Sequence, residues 1–597
     1  MSRPTLSWSL VLIAVLLAGC GSPAATPPPS PTFSLAPSTP RAPAPTATPD
    51  VPRLDATTLD GKVIFGYQGW FACPGDGSPA DMWVHWFRNQ NPYEVNLTVD
   101  LWPDMAEVTA AERCPTEMTL PDGSSLQAYS SYNAQTVDRH FQWMQDYGID
   151  GVALQRFLSE ARDPRFLEFR NGMAERVRQA AEAHGRVFFI EYDGVDGEGA
   201  VDRFIRDWQS LVDDLHLTDS PSYLHHNGLP VVGVFGFGLN VDGGLPPGEA
   251  FRLLRYLLQD APPPYRATVF GGVPSYWRTG TGDTAPDPAW AEVFRSFDVL
   301  SPWAVGRYGN QAEADAYRDQ VTVPDLAEAQ ANGMDYMPVL FPGFSWANLY
   351  PGEPSNAIPR DGGRFYWRQA YNAVSSGARM IFVAMFDEVD EGTAMFKLAS
   401  AADQLPERSK LVPLDVDGYP LPSDWYLKLG GETGRLVRGE IPLSPEMPFP
   451  VPERVITTPT YTLRVDLSTT SDWTTLDFTD AGLVLRAEVV GVEGSPGGYN
   501  ASPSGLTLNQ PLQAAESSQQ VGITVRLLVR ADAAATELHL LLQRGSLHAS
   551  RVRLFQDLDG TEVLLLDETH NRIVGTEGRN PLELTVNLTR LPSRPAP

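Results

Sequence analysis

Short apolar segments alternate with amphipathic segments over most of residues 62–440. Apolar runs of this length bounded by turn residues are typical of buried strands, and the longer periodic segments between them are typical of helices. Alternation of this kind favours a parallel sheet, because a helical crossover returns the chain in the same direction. Eight repeats therefore predict an α/β fold, with a closed (β/α)8 TIM barrel at residues 60–440. The predicted strands are Val63–Phe71, Gly151–Phe157, Val187–Tyr192, Pro230–Phe237, Ala267–Val273, Val299–Val305, Tyr336–Phe341 and Met380–Phe386.

Helix boundaries are marked in the segments between these strands. Asp163 and Pro164 suit a cap and a first turn, and Gly185 suits a helix end. The other predicted helices are Ala200–Leu215, Gly248–Leu258, Pro286–Phe297, Pro324–Ala331, Gly363–Ser376 and Ser423–Arg438.

A long insertion, residues 72–134, separates the first strand from its helix. Loops that follow the strands of such a barrel form its catalytic face, so we expect this insertion to build one wall of a cleft. It contains Cys73 and Cys114, which form either a disulfide or two free thiols. Neither cysteine has the spacing of a metal ligand, and no paired histidine motif occurs, so we expect no metal and no cofactor.

The character of the chain changes after residue 440. A Pro-rich linker at 441–455 leads to residues 456–597, where alternating and continuous apolar runs are separated by Gly, Asn and Asp turns. This pattern predicts a C-terminal all-β sandwich, either a carbohydrate-binding accessory domain or a passive spacer.

The N-terminus carries an export signal. Residues 1–20 combine Arg3, an apolar run too short to span a bilayer, and a Leu-Ala-Gly-Cys sequence ending at Cys20. This sequence resembles a bacterial lipoprotein signal, which implies lipidation of Cys20 and an exported, extracytoplasmic protein anchored to the cell membrane. Residues 21–55 form a linker rich in Pro, Ser and Thr that would hold the folded part away from the membrane.

Net charge limits the partners of the chain. With 73 acidic and 45 basic residues, the formal charge of −28 disfavours nucleic acid. We expect a monomer, with the membrane as a partner through the anchor at Cys20.

Four carboxylates follow the eighth predicted strand, at Asp387, Glu388, Asp390 and Glu391. In a barrel, acids at this end of a strand point into the active site. Crowded, desolvated carboxylates titrate as a coupled set, so that a proton donor and a proton acceptor coexist near neutral pH, as glycosidic bond cleavage requires. The alternatives are a solvated turn and a Ca²⁺ site, although the spacing does not match an EF-hand.

Further candidate residues lie at the ends of other predicted strands. Glu191 and Asp193 follow the third strand. Aromatic rings pack on the apolar faces of sugars while polar groups bind the hydroxyls, so a mixture of both is typical of a sugar cleft. The candidates of this second kind are Tyr67, Trp70, Trp303 and Trp346 at the strand ends, together with His85 and Trp86 in the insertion.

The loop Phe-Asp-Glu-Val-Asp-Glu-Gly-Thr, residues 386–393, resembles the Asn-Glu-Trp-His-Glu-Gly-Thr loop of glycoside hydrolase family 99, the endo-α-mannosidases and endomannanases, within the broader group of families 71 and 99. Trp-Val-His-Trp at 83–86 and Phe-Ile-Glu at 189–191 are similar to two other segments of that family, as is the first strand with its Tyr and Trp. The resemblance covers residues 62–440.

The resemblance implies a retaining hydrolase without a protein nucleophile, in which Glu388 is the base toward the 2-hydroxyl of the sugar and Glu391 is the acid/base. It also implies that Glu191, Tyr67 and His85 line the subsite of the reacting sugar. Asp387, Val389 and Asp390 differ from the family's Asn, Trp and His, so the sugar itself does not transfer, and a pentose is an alternative to mannose. A rival hypothesis from the stalk, the anchor and the aromatic residues is a non-catalytic glycan-binding lipoprotein.

Overall fold

The computed structural model describes residues 52–454, apart from residues 242, 352, 407 and 408, and beyond them the backbone of ten strands between residues 460 and 587. The predicted signal peptide, the lipidation site at Cys20 and nearly all of the 21–55 linker lie outside the described residues. Among the described residues, no helix has both the length and the apolar character needed to cross a membrane.

The first part of the chain combines a parallel sheet with helices. Its strands are β1 Val63–Tyr67, β2 Arg113–Thr119, β3 Ser125–Tyr129, β4 Gly151–Phe157, β5 Val187–Asp193, β6 His225–His226, β7 Leu229–Phe235, β8 Thr268–Pro274, β9 Val299–Trp303, β10 Asp335–Tyr336, β11 Val339–Leu340 and β12 Ile381–Val383. Its helices are α1 Ala134–Tyr147, α2 Pro164–His184, α3 Ala200–Asp213, α4 Pro247–Arg255, α5 Trp290–Phe294, α6 Gln311–Tyr317, α7 Val323–Ala331, α8 Arg364–Ser375 and α9 Trp425–Val437.

Nine of these strands form one curled parallel sheet in the order β10-β9-β8-β7-β5-β4-β1-β12-β11. The two end strands of this order, β10 and β11, are pieces of one predicted strand. Two residues lie between them. The Met337 N–H donates to the Leu300 carbonyl in β9, and the Pro338 carbonyl accepts from the Phe382 N–H in β12. Proline has no N–H to donate, which suits a position where a strand changes partners. The prediction of an α/β, TIM-like arrangement is confirmed.

Helix boundaries follow local chemistry where the pattern is strong. Helix α2 begins after Asp163, whose side chain accepts from the Arg165 N–H, and ends at Gly185, which has a left-handed φ of 62°. The predicted helix at 286–297 is shorter in the structure, as α5, and α6 was not predicted. Helix α6 buries only Ala314, so its sequence has no apolar periodicity to detect.

The insertion packs onto the barrel through its own aromatic core. Strands β2 and β3 form an antiparallel hairpin, and a disulfide joins Cys73 to Cys114 with their Cα atoms 6.3 Å apart. Trp86 and Trp102 are buried, and their indole N–H groups donate to the carbonyls of Tyr129 and Gln127. Trp86 and Trp102 also belong to the same hydrophobic core as the buried residues of the sheet, so the insertion and the sheet share one core.

The C-terminal strands pair in antiparallel fashion. They are β13 Thr460–Thr469, β14 Thr475–Asp477, β15 Val484–Glu493, β16 Tyr499–Ser502, β17 Gly505–Leu508, β18 Val521–Arg530, β19 Glu537–Leu542, β20 Leu547–Leu558, β21 Thr561–Val574 and β22 Leu582–Asn587. The sheets they form have the orders β15-β18-β13-β20-β21, β14-β17-β16 and β19-β22. A sandwich requires two sheets to pack face to face, and that packing lies outside what the structure describes, so the sandwich stays a prediction.

Candidate active site

The four carboxylates after β12 lie in a turn at the carboxyl end of the sheet, not in a solvated loop. Asp387, Glu388 and Asp390 are at most 5% exposed, and Glu391 is partly exposed. Burying ionisable groups costs free energy unless they are paired, hydrogen-bonded or protonated. This turn therefore differs from the solvated alternative that its sequence also allowed.

Asp387 joins the turn to the end of β1. Its two oxygens accept from the backbone N–H groups of Gln68, at 2.7 Å, and Gly69, at 3.0 Å. Burial raises the pKa of Asp387 to about 7, although both donors oppose the rise. Asp387 thus aligns the turn with β1.

Glu388 accepts a hydrogen bond at each carboxylate oxygen. Gln68 Nε2 donates at 2.5 Å and Thr393 Oγ1 donates at 2.6 Å. Burial, followed by the charges of Glu391 and Asp390, raises the pKa of Glu388 well above its usual range, and the two donors oppose this rise.

Glu391 has a different environment. Its backbone carbonyl accepts from Ser345, at 3.0 Å, but among the described residues no hydrogen-bond donor acts on its carboxylate. Loss of solvent, and then the charges of Asp390 and Asp193, raise the pKa of Glu391 to about 8. A partly exposed carboxyl group that remains protonated near neutral pH can serve as a general acid.

Asp390 is paired with His85 from the insertion. Asp390 Oδ2 lies 3.2 Å from His85 Nδ1, and the imidazole stacks on Trp70 with ring centroids 3.7 Å apart. Among the described residues, Asp390 Oδ1 and Trp70 Nε1 are buried without a hydrogen-bond partner, and so is Oε1 of Gln68, whose amide nitrogen binds Glu388. The structure therefore brings His85 and Trp70 to the acids, and leaves unsatisfied polar atoms beside them.

Glu191 and Asp193 end β5. Glu191 is 2% exposed and accepts from Gln155 Nε2 at 2.6 Å, and burial raises its pKa to about 8. Burial raises the pKa of Asp193 to about 6, and its charge in turn acts on Glu391. Gly233 leaves room for Glu191, because a Cβ there would lie 2.8 Å from Glu191 Cγ.

Two predicted sugar contacts lie beneath the surface of the site, which corrects their expected role. Tyr67 is fully buried, with its hydroxyl 2.9 Å from His140 Nδ1. Trp86 is fully buried against Phe71 and donates to the Tyr129 carbonyl. Because neither ring has exposed surface, both support the site and neither offers a face to a ligand.

Trp303 and Trp346 lie at the ends of other strands. Trp303 ends β9, is partly exposed and packs edge-to-face on Phe235. Trp346 is 9% exposed and packs on Tyr350, whose pKa is raised by burial and then by the charges of Glu391 and Asp390. Trp346 therefore belongs to the surroundings of the acids, whereas no contact of Trp303 connects it to them among the described residues.

Several groups that shape the site were not predicted. Gln68 and Thr393 bind Glu388, and they lie within the predicted first strand and within the 386–393 loop, so their positions in the sequence offered a weak signal. Asp100, Ser345 and Arg360 hold the loop from distant parts of the chain, and nothing in the sequence near them indicates this. Arg360 donates to the carbonyls of Gly392, at 2.9 Å, and Ala394, at 2.8 Å.

A separate concavity of about 510 Å³ lies between the segments that follow β8 and β9. Arg278 and Arg307 line it, and each is paired with a carboxylate, Asp325 or Asp283, at 2.7 Å. None of the clustered acids lines this cavity, so it is separate from the carboxylate cluster. Within the described residues, no group of three or more His, Cys, Asp or Glu side chains is arranged to hold a metal ion.

Comparison with known proteins finds similar folds. No protein-family model matches the chain, and no curated protein matches it. The match to a GH99 endo-alpha-mannosidase from Bacteroides thetaiotaomicron covers 64% of this chain and 100% of the chain of that enzyme, with 16% identity and a TM-score of 0.47. The match to a glycoside hydrolase-like protein covers 60% of this chain and 99% of the matched chain, with 15% identity and a TM-score of 0.39. The match to a family 5 xyloglucanase from Paenibacillus pabuli covers 50% of this chain and 90% of the matched chain, with 9% identity and a TM-score of 0.30.

Proposed function

We propose that this protein is a retaining glycoside hydrolase that cleaves an α-linked polysaccharide or glycan, with an α-mannan favoured. The observation that carries the proposal is the pair Glu388 and Glu391. They lie three residues apart in one buried turn, their pKa values are both raised, and their hydrogen-bond environments are opposite. Two carboxyl groups with different environments can divide the acid and base roles.

The hydrogen bonds assign the charge within the pair. Like charges at short range oppose simultaneous ionisation, so Glu388 and Glu391 titrate together. Hydrogen bonds to both oxygens of Glu388 stabilise its carboxylate, and Glu391 has no equivalent donor among the described residues. We therefore place the negative charge on Glu388, the base, and the proton on Glu391, the acid.

The reaction that the family resemblance implies uses both groups in two steps. Glu388 removes the proton of the sugar 2-hydroxyl as that oxygen attacks C1, and the glycosidic bond breaks while Glu391 gives its proton to the leaving oxygen. Glu391, now ionised, accepts a proton from water as the water attacks C1 of the anhydro sugar and the bond between C1 and the 2-oxygen breaks. The proton on Glu388 returns to the 2-oxygen, which restores both carboxyl groups and retains the anomeric configuration.

The surroundings suit a polyhydroxylated ligand. The stacked Trp70 and His85 rings provide a flat surface, with 26% of the His85 side chain exposed. Asp193 is partly exposed and provides oxygens that can accept from sugar hydroxyls, whereas Glu191 and Asp390 are nearly fully buried beneath the surface of the site. The preference for mannose rests on the family resemblance, so the first screen includes α-mannans, α-glucans and arabinoxylans.

Conservative substitutions test the proposal. Glu388→Gln and Glu391→Gln are each expected to lower turnover of the screened substrate by about 10²-fold or more, because each removes a proton acceptor or donor. Thermal midpoints should be nearly unchanged, and Glu292→Gln, at an exposed position of α5, should match the wild type. Wild-type turnover in both variants would exclude the proposal. Binding without new reducing ends over the whole panel would favour the non-catalytic glycan-binding protein instead.

Cellular location is part of the proposal. We infer from the residues around Cys20 that the protein is exported, lipidated at that cysteine and held at the cell membrane as a monomer. A Cys20→Ser variant should lose the mass of the acyl chains and leave the membrane fraction. Membrane retention of this variant would contradict the anchor.

A further inference from the structure

The insertion contacts the acidic turn directly through Asp100. The backbone N–H groups of Asp100 and Leu101 both donate to the carbonyl of Val389, at 2.9 and 3.0 Å. Val389 lies between Glu388 and Glu391 and is fully buried. The insertion therefore holds the middle of the turn that carries both glutamates.

The side chain of Asp100 holds a second segment, the loop after β11. The carboxylate is fully buried and accepts from the backbone N–H groups of Ala347, at 2.8 Å, and Asn348, at 2.7 Å, and from Ser345 Oγ. Three donors converge on one carboxylate without a basic partner among them. Such an arrangement fixes the position of every donor, because a buried charge left unsatisfied is costly.

Ser345 connects this carboxylate to Glu391. The Ser345 N–H donates to the Glu391 carbonyl at 3.0 Å. The next residue, Gly392, has a φ of 68°, and a Cβ there would lie 2.6 Å from Ser345 N. Ser345 therefore packs against the backbone that carries Glu391, with no space between them for a side chain.

We propose that Asp100 is a positioning residue that orients the Glu391 carboxyl group through Ser345 and Val389. This inference rests on the proposed function and deepens it, since it names the group that aligns the acid with the leaving oxygen. Proton transfer depends on a donor–acceptor distance near hydrogen-bond length, so a small shift of the Glu391 backbone reduces it. Arg360 binds the backbone that follows Glu391 separately, through the carbonyls of Gly392 and Ala394, and does not contact Asp100 in the described hydrogen bonds.

The test compares leaving groups that do and do not need an acid. In Asp100→Asn, one oxygen is replaced by an NH₂ group that faces N–H and O–H donors, so either the contacts to Ser345 and Ala347 or the contact to Asn348 are lost. Full-length protein is assayed on α-mannan and on dinitrophenyl α-mannobioside, whose leaving group departs without protonation. We expect kcat/KM to fall by about 10²-fold on α-mannan and by less than about 3-fold on the dinitrophenyl substrate.

Two further variants make the result decisive. Asp150→Asn alters another buried aspartate, at the start of β4, where it binds the Val63 N–H and Arg438. It should affect both substrates equally. Ser345→Ala removes the hydroxyl that donates to Asp100 and accepts from the Asn356 N–H, but leaves the Asp100 carboxylate in place. It should show the selective loss of Asp100→Asn even if Asp100→Asn does not fold. An equal fall on both substrates in Asp100→Asn and Ser345→Ala, or no fall in either, would overturn the inference.

Glu391→Gln separates this inference from the proposed function. If Glu391→Gln loses α-mannan turnover selectively while Asp100→Asn and Ser345→Ala do not, only the positioning role fails. If Glu391→Gln itself retains wild-type turnover of α-mannan, the proposed function fails, whatever the other variants do.

Discussion

At the scale of single residues, Asp390 is the charge that acts on both glutamates, since it raises the pKa of Glu388 and of Glu391. Glu391 must be protonated to act as an acid, so kcat/KM should decline as pH rises through about 8. Asp390→Asn removes a like charge and should move this decline to lower pH by about 1 unit. Asp122→Asn, in the exposed turn of the β2–β3 hairpin, should leave the decline in place. A pH–rate profile checks both, and an unmoved or raised limb in Asp390→Asn would contradict the assignment.

Glu191 makes stability depend on pH. Burial raises its pKa from 4.5 to about 8, so the folded protein binds a proton there that the unfolded chain releases above about pH 4.5. The stability linked to this proton is present below pH 4.5 and is lost as pH rises through 8. Glu191→Gln keeps an oxygen for Gln155 but cannot ionise. Its thermal midpoint should match the wild type near pH 4 and exceed it by on the order of 5 °C near pH 9. If the thermal midpoints of the wild type and of Glu191→Gln change in parallel with pH, this would contradict a buried, protonated Glu191.

At the scale of elements, the acidic turn after β12 depends on Gly392. An L-residue with a left-handed φ costs about 1–2 kcal/mol, and at Gly392 a Cβ would also overlap Ser345 N. Gly392→Ala should therefore lower stability and reduce kcat/KM at least about tenfold. Gly439→Ala is the matched control, because Gly439 also has a φ of 68° but no atom within 4 Å of its Cβ position. Its stability should fall by the φ cost alone, with full activity. Equal activity in the two variants would show that the turn tolerates displacement.

The elements also show where local pattern is sufficient. Helix α2 has a cap, a proline and a terminal glycine within its own sequence, and its observed bounds follow those signals. The last barrel strand extends only over Ile381–Val383, although the apolar run continues to Phe386. The strand ends where its neighbours β1 and β11 stop pairing with it, at Val383. The apolar run contains no information about where those neighbours end.

At the scale of the whole molecule, the curled sheet, its helices and the insertion share one hydrophobic core within residues 52–454. Among the described residues, the hydrogen bonds of the acidic turn are made within this range, and α9 is tied to the rest by Tyr147 to Asp424, at 2.7 Å, and Arg438 to Asp150, at 3.1 Å. A 52–454 fragment should therefore unfold cooperatively and retain the turnover of the full chain.

A shorter fragment is the control for this prediction. A chain ending at Pro422 lacks α9 and leaves Asp150 without Arg438, and should not fold stably. Circular dichroism melts and reducing-end assays check both fragments. Loss of turnover in the 52–454 fragment would mean that the C-terminal strands contribute to the site.

Local spacing in the sequence was enough to predict the alternation of strands and helices, the TIM-like class and the acids at the end of the eighth predicted strand, because each depends on residues a few positions apart. Tertiary structure alone decided which acids are buried and what holds them. Gln68 meets Glu388, and Asp100 meets Ser345, across more than 240 residues of chain. Tyr67 and Trp86 have the residue types of a sugar platform, yet the fold covers both with other side chains. Burial and long-range hydrogen bonds arise only when distant strands come together, and they are what distinguishes a proton donor from an acceptor in this turn.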